Sequence, residues 1–554
     1  MAEWEVIAKR KQQERDSKIP AAWLLPTSPA DNHNVLQVPG KAGILTPAEI
    51  DITENYDATG LRDAIAAGKL KSLDVAKAFS KRAAIAQQLT NCLTEIFFDE
   101  ALKRAEELDA YYAKHGQTVG PLHGVPVSIK DCFRVKGADS TTGIASLAFK
   151  PAVTESALVQ ILRKAGAVLH CKTNVPMTMM ALDSHNNVWG RTMNPINRKV
   201  TAGGSSGGEG ALVAMRGSAM GVGTDVGGSI RIPAMCNGLY GIKPSHQRIP
   251  FANLQGSTAP GGSRVAVAAS AGPLTTTLRD CELFFDAISS QKPWEVDPEV
   301  IPATWPYQQP ALSKRDAIIG IVKRDGLIEP LPPIARLIDE VASRLRSQGI
   351  TVVEMDITPL FSKCQSLANK LFGIDGNNYA FDLLESKGEP LSPWLATRLK
   401  RGKVRGLPEV TDLHARRMAL EAEFLKYWND TTTGRQIDAF ICPMAPHPVP
   451  LIDRFNGVSY TSSFVLLDAP AGNIPVRAFG QHDLEGEVPK TKALSSWDER
   501  NRELWTNVDR SVYLGTPLCI QVVAPRLQER RLTEAMKVID DALKASGSDT
   551  KSKL

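Results

Sequence analysis

The sequence lacks the features that assign a protein to a membrane, secreted or nucleic-acid-binding class. No stretch approaches about 18 apolar residues without a charge or a proline, so we predict no membrane-spanning helix. The first 20 residues carry acidic side chains and no apolar core, which argues against a signal peptide. Neither sign of charge predominates, since 65 Lys and Arg residues stand against 60 Asp and Glu residues. Neither nucleic acid nor an anionic membrane is therefore an expected partner.

Cysteine is present, but not in the spacing that metal sites or disulfide frameworks need. The sequence contains no C-x-x-C motif and no closely spaced pair of cysteines. The eight cysteines are scattered along the chain at Cys92, Cys132, Cys171, Cys236, Cys281, Cys364, Cys442 and Cys519. We therefore predict reduced, mostly buried thiols in an intracellular protein and no metal site.

The order of the predicted elements indicates one large α/β domain. Short apolar runs predict buried strands at 125–129, 167–171, 316–323, 439–446 and 517–525. Helices are predicted between or after them, at 154–165 and 333–347. Strands that alternate with helices predict a mixed, mostly parallel sheet covered by helices on both faces.

Both ends of the chain are predicted to lie outside that domain. Residues 1–55 read as an N-terminal helical extension, residues 56–540 as the domain and residues 541–554 as a polar tail. Within the extension, Thr46, Pro47 and Glu49 form a helix start signal: an N-cap, a proline at the first helical position and an acid at the third.

The tail carries a targeting motif. Its last three residues, Ser552, Lys553 and Leu554, spell S-K-L, which a peroxisomal import receptor reads as an address. We therefore expect a peroxisomal protein, and a cytoplasmic one if the motif is not used.

The segment 203–241 departs from the rest of the chain. It holds 12 glycines in 39 residues, where the chain's average would give about three. Glycine clusters allow close backbone approach and positive φ, by which a chain points several N–H groups at one oxygen. The segment is therefore the first candidate for a functional site.

Three chemistries compete for this segment. A phosphate loop is disfavoured, because no lysine follows the glycines and the third glycine of G-x-G-x-x-G is missing. A hydrolase nucleophile elbow fits G-x-S-x-G around Ser205, and its histidine would be His246, His414, His447 or His482. A serine–lysine hydrolase fits as well, because Lys130 follows an apolar strand where desolvation would lower its pKa. On the residues alone, the last two alternatives stay open.

Several motifs occur in a fixed order between residues 121 and 245. They are PLHGVPVSIKD (121–131), GGSSGGEGALVA (203–214), GVGTDVGGSIRIPA (221–234) and GLYGIKPS (238–245). Together they resemble the lysine motif and the serine- and glycine-rich signature of the amidase signature family. Weaker similarity covers roughly residues 60–535, and the N-terminus resembles the fungal acetamidase-like branch.

The resemblance implies a catalytic triad of two serines and a lysine. Ser229 matches the nucleophile, Lys130 matches the base, and Ser205 matches a bridging serine reached through a cis peptide bond after Gly204. It also implies an oxyanion site formed by the backbone N–H groups of Val226, Gly227, Gly228 and Ser229. This chemistry needs no metal and no organic cofactor.

The residues that flank the triad are expected to support it. Ser206 is interpreted as a hydrogen-bonding residue of the loop, and Asp225 with Arg231 as a charge pair that holds the loop. Cys132 and Cys236 lie near the motifs and are interpreted as small buried side chains.

The substrate pocket is less well defined by the sequence. Met179 and Met180 are candidates for its wall, with ordinary core packing an equal alternative. Ala469 stands where acetamidase-like sequences usually carry a larger residue, which would enlarge or reshape the acyl pocket.

The resemblance implies an amidohydrolase that forms an acyl-serine intermediate and acts on small aliphatic primary amides. Two alternatives stay open: a hydrolase of larger amides, such as N-acylethanolamines or secondary-metabolite amides and lactams, and a subunit of a transamidation complex. Homodimers are common in the family, and nothing in the sequence opposes one.

Overall fold

A computed structural model describes residues 1–27, 33–303, 311–429, 434–454 and 457–545. The strands are β1 (Leu93–Ile96), β2 (Pro126–Lys130), β3 (Val168–Thr173), β4 (His185–Asn186), β5 (Gly190–Arg191), β6 (Met220–Asp225), β7 (Tyr240–Lys243), β8 (Ser270–Thr275), β9 (Ile318–Ile321), β10 (Thr351–Glu354), β11 (Ala439–Pro443), β12 (Ala471–Ala478) and β13 (Pro517–Val523).

The α-helices are α1 (Glu3–Ser17), α2 (Val38–Lys41), α3 (Pro47–Asn55), α4 (Ala58–Ala66), α5 (Ser72–Thr90), α6 (Phe98–His115), α7 (Ala157–Lys164), α8 (Gly207–Ala214), α9 (Arg231–Asn237), α10 (Leu278–Ser290), α11 (Pro332–Ser347), α12 (Thr358–Phe372), α13 (Asn378–Glu385), α14 (Pro393–Ala396), α15 (Leu407–Leu425), α16 (Ser459–Leu466), α17 (Ser496–Thr506) and α18 (Glu529–Ala545).

Eleven of these strands form one sheet. Their order is β1-β3-β2-β6-β8-β7-β12-β13-β11-β9-β10, and β4 pairs only with β5 in a separate hairpin. The neighbours β3-β2-β6 are parallel at one end of the sheet, and β11-β9-β10 are parallel at the other. The α/β class, the mixed sheet and the helices that flank it agree with the sequence prediction.

The middle of the sheet joins the two parallel groups through antiparallel strands. Among the described residues, four of the ten neighbouring pairs are parallel and six are antiparallel. Central strands such as β8 and β13 are buried along their whole length. An antiparallel strand covered on both faces has the same continuous apolar pattern as a parallel one, so the pattern cannot distinguish them.

Local sequence signals explain where many elements begin and end. The side chain of Thr46 accepts a hydrogen bond from the Glu49 N–H, and the Glu49 carboxylate accepts one from the Thr46 N–H, which confirms the predicted start of α3. Helix α7 follows β2 and precedes β3 in the chain and buries Leu158, Val159, Ile161 and Leu162, as the 154–165 pattern indicates. Each of the five predicted strands has a counterpart in β2, β3, β9, β11 and β13.

The parallel arrangement of β2, β3 and β6 brings three strand ends together. Lys130 is the last residue of β2 and pairs with Thr173, the last residue of β3, while Asp225 ends β6. Because parallel neighbours end at the same edge of a sheet, these side chains lie at one edge. That edge carries the candidate site.

The N-terminal helix packs against this part of the domain. The ammonium of Lys11 on α1 lies 2.8 Å from Glu95 Oε1 and 3.1 Å from Asp139 Oδ2, and all three side chains are buried. None of the helices in the described ranges is both long enough and apolar enough to cross a bilayer. All eight cysteines are buried and outside any disulfide, as predicted.

Candidate active site

Lys130 is completely buried, and its side chain bonds to hydroxyl groups. Its Nζ donates to Ser205 Oγ at 2.7 Å and to Thr224 Oγ1 at 2.8 Å. No carboxylate lies within 4 Å of this Nζ among the described residues. Burial lowers the pKa of Lys130 to about 8, so a large fraction of the side chain is neutral near that pH.

Ser205 is the residue that Lys130 contacts directly. The Gly204–Ser205 peptide bond is cis, as the resemblance implied. Ser206 follows at the N-cap position of α8, where its N–H donates to the carbonyl oxygen of Ser229 at 3.2 Å. The backbone of the two serines thereby joins the lysine strand to the loop that carries Ser229.

Ser229 lies in the tight loop between β6 and α9 and is 4% exposed. In the described part of the chain its hydroxyl forms no hydrogen bond, in contrast to the Ser205 hydroxyl. Catalytic hydrogen bonds are often long in substrate-free enzymes and tighten when substrate binds. The three predicted triad residues thus share one site, with the Lys130–Ser205 contact formed and the Ser229 hydroxyl without a partner.

The loop 226–229 differs in one respect from the predicted oxyanion site. The N–H of Gly228 donates to Asp225 Oδ1 at 2.7 Å, so in this structure it does not point at substrate. The N–H groups of Val226, Gly227 and Ser229 have no acceptor in the described residues. Asp225 competes for the Gly228 N–H because its carboxylate caps the turn, which the sequence pattern cannot show.

The backbone conformation at position 228 requires glycine. Its φ is +125°, and a Cβ atom at this position would lie 2.6 Å from Thr461 Oγ1. The Thr461 hydroxyl donates to the carbonyl oxygen of Gly227 at 2.6 Å and so fixes the orientation of that peptide.

Asp225 and Arg231 form the predicted charge pair. The guanidinium donates from Nε at 2.9 Å and from Nη2 at 3.0 Å to the two carboxylate oxygens, and both side chains are fully buried. Burial would raise the pKa of Asp225, but Arg231 and the Gly228 N–H bring it down to about 2. Arg231 also donates to Gln521 Oε1 and to the Thr461 carbonyl oxygen, so the pair ties the loop to β13 and α16.

Two segments lie close to the serine loops. The backbone of residues 181–183 lies against Gly204, which brings the methionine segment beside the bridging serine. Met179 is half-buried against the main core and Met180 is 37% exposed. On the other side, the half-buried ring of Phe372 faces Gly227, with Cζ 3.9 Å from where a Cβ of residue 227 would lie.

Ala469 lies behind this second segment. It is fully buried in a cluster with Phe361, Phe440 and Phe464, against which Val226 and Phe372 pack. Its size therefore acts on the cleft through the packing of that cluster.

The remaining candidate nucleophiles and bases lie outside the site or are inert. His246, His414 and His447 contact the backbone carbonyl oxygens of Ala269, Val265 and Pro448, and the exposed His482 lies beside Asp483. Ser205 therefore pairs with a lysine, which argues against the nucleophile elbow. Burial raises the pKa of the Cys132 thiol to about 11, so it is not a thiolate near neutral pH.

Three contacts at the site were missed by sequence reasoning. Thr224 precedes Asp225 in the glycine-rich segment, so a hydroxyl at that position was a usable signal. Thr461 and Phe372 are more than 140 residues away from the loop that they touch, and no motif marks either of them. In the described residues, no group of three or more His, Cys, Asp and Glu side chains could hold a metal ion.

Comparison with known proteins is consistent with this geometry. A sequence profile for the family described as Amidase matches residues 74–533. The chain is 39% identical over 537 residues to an acetamidase of Emericella nidulans, covering 95% of this chain and 96% of that protein. It is 36% identical over 539 residues to an acetamidase of Aspergillus oryzae, covering 96% and 97%.

Solved structures give the same result. A fatty acid amide hydrolase superposes with a TM-score of 0.89 at 33% identity, covering 98% of this chain and 95% of that one. A peptide amidase from Stenotrophomonas maltophilia shares the fold, with a TM-score of 0.61 at 20% identity and coverage of 89% and 97%.

Proposed function

We propose, since the chain belongs to the amidase signature family, that this amide hydrolase cleaves small aliphatic primary amides through an acyl-enzyme on Ser229. The observation that carries the proposal is the 2.7 Å contact between Lys130 and Ser205, next to the Ser206 N–H that bonds the carbonyl oxygen of Ser229. A buried lysine without a carboxylate partner is suited to act as a base, because burial disfavours its charged form.

In the proposed mechanism a proton relay activates the nucleophile. Neutral Lys130 accepts the proton of the Ser205 hydroxyl, and Ser205 accepts the proton of Ser229. The Ser229 oxygen then attacks the amide carbon, and the free N–H groups of the 226–229 loop stabilise the oxyanion.

The relay then runs in reverse and is used a second time. The proton returns from Lys130 through Ser205 to the leaving nitrogen, the carbon–nitrogen bond breaks, and ammonia departs while the acyl group stays on Ser229 as an ester. Water attacks this ester and gives its proton to the same relay, which returns it to the Ser229 oxygen as the acid departs.

Two observations support a small acyl group. The ring of Phe372 stands against Gly227 and narrows the space beside the oxyanion loop. Both fungal relatives named above, at 39% and 36% identity, are called acetamidases. We therefore propose acetamide and its nearest homologues as substrates.

Ammonia release by the purified protein across primary amides of increasing acyl length tests this proposal, with Ser229→Ala as the control. We expect release that falls with chain length and is absent from the variant. Preference for long amides would instead support the alternative of a larger substrate, in line with the fatty acid amide hydrolase neighbour. Release that needs a second protein would support a transamidation subunit.

Two further predictions concern location and assembly. The S-K-L motif at Ser552–Leu554 lies outside the described residues, and we propose that an import receptor recognises it. A fluorescent fusion with and without these three residues tests this, and a diffuse signal from both would contradict it. We also propose a homodimer, which light scattering of the purified chain would detect and a monomer mass would refute.

A further inference from the structure

A buried carboxyl group that the proposed mechanism does not use lies next to the base. Glu209 is on α8 and is completely buried. Its Oε2 lies 2.5 Å from Ser128 Oγ, and its Oε1 lies 2.8 Å from Thr173 Oγ1. Both hydroxyls belong to the strands that end at the active site, β2 and β3.

The carboxyl lies on the same side of the sheet as the base. Ser128 and Lys130 are two residues apart on β2, so their side chains share one face and are separated by about 7 Å along the strand. On the other side the backbone of β6 closes over the carboxyl, since a Cβ on Gly221 would lie 2.4 Å from Glu209 Oε2. The group therefore has no room for water on that side.

Within the described residues, neither Glu209 nor Lys130 has an oppositely charged group within 4 Å. In the described parts of the chain, no lysine, arginine or histidine nitrogen lies within 4 Å of the Glu209 carboxyl, and only hydroxyl groups contact it. An unpaired charge buried in this way is costly, whereas a neutral carboxylic acid needs only one hydrogen-bond donor and one acceptor. Two hydroxyls supply such partners.

We propose that Glu209 is a positioning residue for Lys130 and works as a neutral carboxylic acid, holding the hydroxyls of Ser128 and Thr173 beneath the base. Because it carries no negative charge, it does not draw the proton back onto the lysine. This inference rests on the proposed role of Lys130 as the base.

The electrostatics point in the same direction. Burial raises the pKa of Glu209 to about 8, and burial lowers the pKa of Lys130 to about 8. In each case burial disfavours the charged form of the group. Because the two groups interact, the protonation state of one affects the pKa of the other. An ionised Glu209 would favour the protonated form of Lys130.

The other ionisable groups around α8 do not form an ion pair with Glu209. The ionisable residues on the elements packed against it are Asp74, Lys77, Lys81, Arg82, Lys130, His170, Cys171, Lys172, Asp225, Arg231 and Cys236. Burial keeps the thiols of Cys171 and Cys236 neutral by raising their pKa values, and it lowers the pKa of His170 to about 4. The other buried cations bond elsewhere: Lys81 to Glu49, Arg82 to Glu54, Lys172 to Ser140 and Arg231 to Asp225.

The test compares Glu209→Gln and Glu209→Leu with the wild type. Glutamine reproduces the one donor and one acceptor of a neutral acid, whereas leucine removes both. We expect Glu209→Gln to keep kcat/KM for acetamide and the pH at which it rises. We expect Glu209→Leu to lower kcat about tenfold or more, with rescue by glutamine distinguishing positioning from mere packing.

Two outcomes would overturn the inference. If Glu209 is ionised in the active enzyme, Glu209→Gln removes a negative charge and the rise of kcat/KM moves to lower pH. If Glu209→Leu keeps full activity and an unchanged pH profile, the residue has no positioning role. As a control, Asp280→Asn changes a buried carboxyl that contacts Thr59 on α4, and it is expected to leave the pH profile unchanged.

An infrared difference spectrum gives a readout that needs no substrate. At pH 7 the wild type minus Glu209→Gln is expected to show the C=O stretching band of a protonated carboxylic acid, and a carboxylate band instead would refute the proposal. Peptide mass spectrometry of trapped acyl-enzyme tests the proposed function separately. If Ser229 carries no acyl group, that function is rejected. The infrared spectrum would still report the protonation state of Glu209.

Discussion

The two parallel groups of strands have the same local topology and different contents. At the edge formed by β3-β2-β6, the buried side chains include Lys130, Thr173 and Asp225. The group β11-β9-β10 instead supports an apolar cluster in which Phe440 contacts Trp428 and Phe464 at ring separations of 5.3 and 5.7 Å. Buried polar groups are costly, so their concentration at one end favours that end as the place of the proposed chemistry. The apolar end shapes the cleft.

The two regions meet at the oxyanion loop. Thr461 on α16, beside the apolar cluster, bonds the carbonyl oxygen of Gly227, and Arg231 bonds both Asp225 and the Thr461 carbonyl oxygen. The comparison therefore predicts that changes at the polar end abolish the reaction, whereas changes at the apolar end alter its rate modestly or its substrate preference.

The largest effect is expected from Ser229→Ala. Removal of the nucleophile is expected to lower kcat for amide hydrolysis on the order of 10⁴-fold or more, measured as ammonia release. Ser206→Ala removes the hydroxyl of the residue that follows Ser205, and it is expected to lower kcat far less. Recovery of the acyl group on Ser205 instead of Ser229 would contradict the assignment.

Lys130→Met is expected to lower kcat/KM about 10³-fold, because general-base catalysis is lost. Since the base acts when neutral and burial lowers its pKa to about 8, wild-type kcat/KM is expected to rise with pH through about 8. The matched control is Lys243→Met, which removes another buried lysine with a pKa lowered to about 8 by burial, bonded only to Pro244 O in the described chain. Equal losses in both variants would sink the role of Lys130.

Phe372→Ala is expected to move substrate preference towards longer acyl chains by about tenfold in the ratio of kcat/KM values, because the ring facing Gly227 is removed. Leu371→Ala, in the fully buried neighbouring position, is expected to lower stability without changing that ratio. Unchanged preference in Phe372→Ala would show that another wall sets the acyl length.

The smallest effect is expected from Thr461→Val. The substitution preserves shape and removes the hydrogen bond to Gly227 O, worth about 1 kcal/mol, so kcat is expected to fall about fivefold with little change in KM. Ser463→Ala removes a hydroxyl that bonds Ser459 O within the same helix and serves as the control. A change confined to KM would indicate that Thr461 acts on binding instead.

The polar end could be predicted from the sequence because its signals are local. The apolar run before Lys130, the serine pairs and the clustered glycines each indicate a backbone or burial state within a few residues. The cis bond at Ser205 and the pair of Asp225 with Arg231 followed from the resemblance. The use of the Gly228 N–H by Asp225 did not, since it depends on how one turn closes.

The apolar end could not be predicted in the same way. Phe372, Thr461 and Ala469 are far along the chain from the residues that they influence, and each has an ordinary local context. The orientation of the central strands was also hidden, because burial on both faces gives one pattern for parallel and antiparallel strands.

The sequence by itself determined the α/β class and most strand positions, because burial and backbone conformation leave periodic or compositional marks on neighbouring residues. The proposed triad residues followed from the resemblance of their motifs to a known family. The tertiary structure alone decided which side chains face the 226–229 loop, and that within the described residues the polar groups bonded to the side chains of Glu209 and Lys130 are uncharged. These depend on distances between segments that are remote in the chain, and only the packed fold fixes such distances.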